Sequence, residues 1–354
     1  MKLFKDMMEQ DHEQLVFCHD KVSGLKAIIA IHDTTLGPAL GGLRIWPYAT
    51  EEEALFDVLR LSKGMTYKNA AMGLNLGGGK AVMMADPKTD KTEELFRAFG
   101  QFVDTLGGRY ITAEDVGSSL DDMTTIRSVT PYVGGLPDTS GDPSIVTGYG
   151  VFRGIQAALM HKYGSSDVAG KTVAIQGAGK VGTYLMSHLL DAGAKILITD
   201  ISPERVKAAV EKGATALDPA EIFDAECDIF APCALGGVIN DESIPRLKAK
   251  IVAGSANNQL LEARHGQALA QRGILYAPDF IVNGGGVINV AQELDPAGYN
   301  RELAQAKAGK IYDILLEVFA LGEEKGLQPH EAADLYAEER IEKALAQKRV
   351  YIPC

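Results

Sequence analysis

The sequence predicts an α/β protein of two domains, an N-terminal α/β domain with a mixed sheet and a doubly wound α/β domain, separated by a cleft. Three observations predict it. The chain has 354 residues, beyond the size at which one hydrophobic core usually keeps growing. From about residue 172 onward, strand and helix signals alternate, which is the pattern of a parallel sheet covered by helices. Between these regions, residues 131–144 are rich in Gly, Pro, Asp and Ser, a composition that favours turns and breaks both helix and strand periodicity. The boundaries read from this are 1–130 with 330–354 for the first domain, and 131–329 for the second.

In the first domain, residues 14–18, 25–32, 81–85 and 110–113 are apolar or β-branched and read as strands. Thr50 before Glu51, Glu52 and Glu53 is an N-cap followed by an acidic first turn, opening a helix to about Asn69. Thr92, Glu93 and Glu94 repeat the signal for a helix toward Leu106. In the second domain, 149–162 reads as helix, 172–176 as strand, 181–190 as helix, 195–199 as strand and 203–210 as helix; further strands are expected at 228–231, 250–253 and 274–277. From Pro329 the chain is helical and charged, and is expected to fold back on the first domain.

Composition narrows the function. Apolar residues make up 46% and charged residues 23%, as in an ordinary globular protein. A net charge of −12, with no dense basic cluster, repels phosphate backbones and anionic lipid, so neither nucleic acid nor membrane is an expected partner. Residues 1–14 mix Lys, Asp and Glu among apolar residues and lack the core of a signal peptide, which makes cytoplasm the expected location. Four cysteines form no CxxC pair and read as reduced thiols. The seven histidines show no ligand spacing, and no metal is expected.

The strand at 172–176 runs into Gly177, Ala178, Gly179, Lys180, Val181 and Gly182, a GxGxxG that opens a helix. Gly177 suits a tight turn, Gly179 the close approach of a pyrophosphate, and Gly182 close packing of helix on strand. Exposed backbone N–H groups and the helix dipole then favour an anion. A second strand ends at Asp200, at the spacing where an acidic residue takes the ribose hydroxyls and repels a 2′-phosphate. A Rossmann domain binding NAD follows. The competing reading is that Asp200 only caps the next helix, where Ser202 and Pro203 would also serve.

Two lysines have unusual neighbours. Lys68 lies within Gly64, Met65, Thr66, Tyr67, Asn69 and Ala70; Lys80 follows Gly77, Gly78 and Gly79. Glycine and apolar surroundings suggest a walled pocket in which an ammonium is partly desolvated, its pKa pulled toward neutrality so that it can act as a general base. A P-loop does not fit, because Leu74 replaces the first glycine and Ala81 the magnesium-binding hydroxyl. The plain alternative for Lys80 is an exposed lysine on a glycine-rich turn. Asp115, just past the strand at 110–113, completes the set, with helix capping as its plain alternative.

These residues lie in stretches, 24–33, 36–42, 64–80, 110–117, 227–240 and 283–291, in which the chain resembles the Glu/Leu/Phe/Val dehydrogenases over nearly its full length. The resemblance implies that Lys68 holds the substrate α-carboxylate, Lys80 activates water, and Asp115 relays protons to and from the substrate nitrogen. It places Thr147, Asn258 and Asn283 near the nicotinamide, and Cys233, Ala234 and Ala256 along the cofactor groove, with Ile201 beside Asp200. Leu40, Gly41, Gly42, Met65, Ala113, Val287 and Val290 are implied to surround the substrate. Leu40 stands where the glutamate enzymes carry a lysine, so a second substrate carboxylate would have no partner. Reversible oxidative deamination of a small branched-chain amino acid, leucine first and then valine and isoleucine, is implied, with 2-oxo acid and ammonia as products and domain closure drying the site. A homo-oligomer, octameric by resemblance, is implied too, against which stands the short tail after Gln347. Phenylalanine or valine as preferred substrate, a non-catalytic NAD-binding protein, and a 2-hydroxy acid dehydrogenase are the alternatives; the last would want a His with a carboxylate partner and an Arg, and no convincing set is seen.

Overall fold

The computed structural model describes residues 3–347; the tail after Gln347 lies outside the described residues. Contacts divide the chain into one unit of residues 1–142, 290–300 and 337–354, and another of 143–289 and 301–336. Residues 131–142 and 290–300 thus belong with the first unit, and 330–336 with the second.

The first unit holds β1 (Gln14–His19), β2 (Lys26–Asp33), β3 (Ala39–Trp46), β4 (Gly77–Met84) and β5 (Tyr110–Glu114), with helices α1 (Leu3–Glu9), α2 (Glu51–Ala71), α3 (Glu93–Asp104) and α4 (Leu120–Arg127). Its sheet runs β1-β2-β4-β3-β5. Pairs β1/β2 and β2/β4 are antiparallel, while β3 lies parallel to both β4 and β5, the mixed sheet expected. Both faces are covered, which is why β2 reads as one apolar run rather than an alternation. Ile28, Ala30 and Val82 pack under Ala54, Leu55, Val58 and Leu59 of α2. On the opposite face Ile29, Ile31, Leu43, Ile45 and Met83 meet Phe96, Phe99 and Val103 of α3 and Met123 and Ile126 of α4. The caps form as expected: Thr50 Oγ1 accepts from Glu53 N at 3.1 Å, and Thr92 Oγ1 from Leu95 N at 3.2 Å.

Two strands of this sheet differ from expectation. β3 was not foreseen, because Gly41 and Gly42 interrupt its apolar pattern, and β4 starts at Gly77, earlier than residue 81. The reason is shared. A Cβ on Gly41 would lie 1.7 Å from Gly79 O, and one on Gly78 would lie 2.1 Å from Thr66 N. Glycine here lets two strands and a helix meet at backbone distance, so the run that looks like a turn is a strand.

The second unit opens with α5 (Ser144–Tyr163) and continues β6 (Thr172–Gln176), α6 (Lys180–Asp191), β7 (Lys195–Thr199), α7 (Pro203–Glu211), β8 (Thr215–Ala216), β9 (Ile229–Pro232), β10 (Ile251–Val252), α8 (Arg264–Gln271), β11 (Leu275–Tyr276) and α9 (Asp279–Val282). Helices α10 (Gly285–Glu293), α11 (Arg301–Gly309), α12 (Ile311–Lys325) and α13 (Pro329–Gln347) follow. All strand pairs are parallel, in the order β11-β10-β9-β6-β7-β8. Counted within the sheet this is 3-2-1-4-5-6 read from the β8 edge, the order of a dinucleotide-binding Rossmann sheet. The end of α13 returns to the first unit. Arg340 Nη1 donates to Ala70 O at 3.0 Å and Leu74 O at 2.7 Å, and Nη2 to Asn75 Oδ1 at 3.0 Å, tying α13 to the turn that follows α2.

Candidate active site

Lys80 lies on β4 with 5% of its surface exposed, and its Nζ is 3.0 Å from Asp115 Oδ2. The exposed-lysine alternative is thereby excluded. Strand register explains the meeting. β3 lies between β4 and β5, with Leu43 opposite both Ala81 and Glu114, so the residues next to these two, Lys80 and Asp115, reach across the same short stretch of β3. Gly42 makes room: a Cβ there would lie 2.5 Å from Glu114 O and 2.8 Å from Asp115 Cβ. Capping is not the role of Asp115 either, since α4 is capped by Ser119, whose Oγ accepts from Asp122 N at 3.3 Å.

A third group shares the carboxylate. Arg44 Nε donates to Asp115 Oδ2 at 3.1 Å, and its Nη1 donates to Asp57 Oδ2 at 3.0 Å. Tyr48 OH donates to that same Asp57 oxygen at 2.7 Å. Burial lowers the Lys80 pKa, Asp115 opposes this, and Arg44 adds to the lowering. Burial alone would raise Asp115, but Lys80 and Arg44 together hold its carboxyl below the usual range. Arg44, Asp57 and Tyr48 were missed from the sequence. A signal existed, since Arg44 is a cation between Leu43 and Ile45, both fully buried.

Lys68 is half-buried in the last turn of α2, where the adjacent Asn69 Nδ2 donates to Gly77 O at 2.6 Å and ties that turn to the start of β4. Of the expected substrate wall, Leu40 and Ala113 are buried on β3 and β5, Gly41 O accepts from Tyr110 OH at 2.6 Å, and Met65 is half-buried on α2. Val290 belongs to this unit as well; its Cγ1 would lie 2.8 Å from a Cβ on Gly134. One turn on, Glu293 accepts from the N–H groups of Gly135, Leu136 and Ser140 at 2.8, 3.2 and 3.1 Å, holding the loop after Val133 against α10. Glu293 was also missed. Val287 and Asn258 belong to the second unit, Val287 half-buried on α10 and Asn258 exposed with φ at 51°.

In the second unit, Gly177 has φ at 110°, where a side chain would be strained, and a Cβ on Gly182 would lie 2.0 Å from Gly177 O. Gly179, the N-cap of α6, faces open space, with Lys180 exposed and Val181 half-buried behind it. Asp200 is not a helix cap: Ser202 caps α7 with Pro203 at its first position. Instead Asp200 Oδ2 accepts from Ala178 N at 2.8 Å and Oδ1 from Ser202 N at 2.9 Å, joining the glycine turn to the end of β7. Ile201 is 94% exposed beside it. At the carboxyl ends of β6 and β7, Gln176 Oε1 and Thr199 Oγ1 are buried without hydrogen-bond partners. Cys233 N donates to Gln176 O at 2.7 Å, setting exposed Ala234 at the mouth of the turn, and Ala256 N donates to Pro232 O at 2.9 Å. Asn283 Nδ2 donates to Asn257 Oδ1 at 2.8 Å while its Oδ1 has no partner. Thr147 is buried on α5 against Gly285 and Gly286. An open glycine cradle at a helix N-terminus, with orphaned polar atoms at the carboxyl ends of the central strands, fits a dinucleotide.

Residues 12–132 match the model of the Glu/Leu/Phe/Val dehydrogenase dimerisation domain, and 140–203 with 199–349 match that of the Glutamate/Leucine/Phenylalanine/Valine dehydrogenases. The chain belongs to the Glu/Leu/Phe/Val dehydrogenases. As a member of that family it is an amino-acid dehydrogenase. It is 59% identical to a leucine dehydrogenase of Geobacillus stearothermophilus, over 97% of this chain and 94% of the relative. A phenylalanine dehydrogenase of Bacillus thermotolerans is 51% identical, over 96% and 90% respectively. The structure of an L-tryptophan dehydrogenase from Nostoc punctiforme superposes with a TM-score of 0.87 at 47% identity, covering 97% of this chain and 99% of that one. Among the described residues, no helix is long and apolar enough to cross a membrane.

Proposed function

We propose that this dehydrogenase carries out the reversible, NAD-dependent oxidative deamination of L-leucine, and of valine and isoleucine, to the 2-oxo acid and ammonia. The observation that carries this reading is the buried ammonium of Lys80 at 3.0 Å from Asp115, a base and a proton carrier in contact within a desolvated site. NAD, when bound in the glycine cradle, supplies the hydride acceptor; Asp200 favours it over NADP by repelling a 2′-phosphate.

Lys68 holds the substrate α-carboxylate. Once hydride has left Cα, the substrate carries an iminium carbon. Lys80 Nζ takes a proton from water as the water oxygen bonds to that carbon, giving a carbinolamine. Asp115 relays that proton from Lys80 to the amino nitrogen, and Lys80, neutral again, takes the hydroxyl proton as the C=O bond forms, the C–N bond breaks and ammonia departs, leaving the 2-oxo acid. The half-buried carboxylate of Asp115 stabilises the cationic nitrogen. Thr147, Asn258 and Asn283 orient the nicotinamide end, and Cys233, Ala234 and Ala256 line the groove leading to it.

Substrate choice rests on Leu40, Ala113, Val287 and Val290, all apolar, which leave a second carboxylate without a cation. Leucine is preferred over phenylalanine in keeping with the higher identity to the leucine enzyme. One methylene in such a pocket is worth only about 1–3 kcal/mol, so the branched-chain substrates share the site. The free thiols of Cys18, Cys227 and Cys233 suit a cytoplasmic setting. A homo-oligomer, octameric by resemblance, is the assembly proposed, supported by the match to a dimerisation-domain model.

The test mixes purified protein with L-leucine and NAD and follows NADH absorbance. NADH should form, with kcat/KM for leucine above that for phenylalanine and negligible turnover of glutamate. Higher kcat/KM for phenylalanine would overturn the pocket assignment, and no NADH with any of these amino acids would overturn the activity.

A further inference from the structure

We propose that Arg44 is a positioning residue for the deamination step, supplying a permanent positive charge that keeps Asp115 ionised and in place while Lys80 is without its proton. This rests on the reading of Lys80 as the base. That reading demands two things at once: Lys80 neutral, and Asp115 charged. With only each other for company the pair would resist, because in a buried site a carboxylate and an ammonium each hold the other in its charged form.

Arg44 resolves the conflict by geometry. Arg44 Nε and Lys80 Nζ make their closest approach to the same oxygen, Asp115 Oδ2, at 3.1 and 3.0 Å. Asp115 therefore keeps a cation when Lys80 is neutral. A guanidinium does not lose its proton in a protein, so the charge is constant across the working pH range. Its position is fixed as well: Nη1 is held by Asp57 at 3.0 Å, and Asp57 is held in turn by Tyr48 at 2.7 Å and by Arg60 Nη2 at 3.0 Å.

Asp115, Arg44 and Asp57 are the strongest charged influences on Lys80. β2 brings Ala30 opposite it. β3 brings Arg44, with Tyr48 beyond; the end of β5 brings Asp115; α2 brings Asp57. With Lys80 protonated, three cations, Lys80, Arg44 and Arg60, meet the two anions Asp115 and Asp57. Remove Arg44 and Asp115 is left with Lys80 as its ion-pair partner among the described residues, and the Lys80 proton is held more tightly.

The experiment compares the pH profile of kcat/KM for leucine oxidation in the wild type, Arg44→Gln, Arg44→Lys and Asp57→Asn, with NADH binding and circular dichroism as controls. Arg44→Gln should move the acidic limb up by at least about one pH unit and lower kcat more than it raises KM, with NADH binding unchanged. Arg44→Lys, which keeps the charge, should return the limb most of the way while kcat stays reduced. Asp57→Asn removes a negative charge near Lys80 and should move the limb down, which keeps the proposal testable if Arg44→Gln fails to fold. A limb unmoved in Arg44→Gln, a shift in Arg44→Lys as large as in Arg44→Gln, or a limb unmoved or raised in Asp57→Asn would overturn it. A wild-type profile with no acidic limb would instead overturn Lys80 as the base.

Discussion

At Lys80 two forces act on one ammonium. Burial lowers its pKa and the Asp115 carboxylate raises it again, with the net effect downward. As pH rises through the lowered value the neutral base accumulates, so leucine oxidation should climb with pH at its acid end. Lys80→Ala removes the proposed base, and the glycine cradle belongs to the other unit. It should lower kcat by about 10²- to 10⁴-fold while NADH binding, read by fluorescence, is kept. A loss below about tenfold would show that another group activates the water.

Strands β3, β4 and β5 are where backbone is brought close enough to place these side chains, and glycine is the means. A Cβ at Gly42 would meet Glu114 O at 2.5 Å and Asp115 Cβ at 2.8 Å, neither the tip of a flexible side chain, so the end of β5 has to move. Displacement of a catalytic group by about 1 Å can cost about 10²-fold in rate, whereas overpacking costs about 1–3 kcal/mol of stability. Gly42→Ala should therefore fold with a lowered melting temperature and lose about 10²-fold in kcat/KM. Wild-type turnover in that variant would show that Asp115 does not depend on this approach. The same strip explains what the sequence hides: β3 and the start of β4 carry glycines that weaken strand propensity, so their strand character comes from neighbours rather than from their own residues. The caps at Thr50 and Thr92, by contrast, were legible because a cap is settled within four residues.

For the whole molecule, buried histidines tie stability to pH. His12 Nε2 lies 2.8 Å from Ser62 Oγ, and His32 Nδ1 lies 2.8 Å from Thr66 Oγ1, with the two rings 4.7 Å apart. Burial lowers His12 from 6.5 to about 4 and His32 from 6.5 to about 3. His188 and His330 are lowered by burial too. Below pH 6.5 the unfolded chain therefore takes up protons that the folded chain refuses, and stability falls as pH falls, until each histidine reaches its folded value. The slope is up to about 1.4 kcal/mol per pH unit for each histidine. Melting temperature measured from pH 7.5 down to 4.5 should decline, and His12→Gln should flatten the decline. An identical slope in that variant would sink the assignment.

The glycine turn, the strands at 172–176 and 195–199, the acidic residue that closes the second of them and the family itself were determined by the sequence alone, because each is written in neighbouring residues through a turn, a period or a cap. Tertiary structure alone decided which charges meet. Arg44 and Asp115 stand 71 positions apart, and the contact depends on β3 lying between β4 and β5, an order that local propensity does not encode. Solvation decided the rest: a lysine after three glycines becomes a candidate base only when a helix and two strands close over it and remove its water.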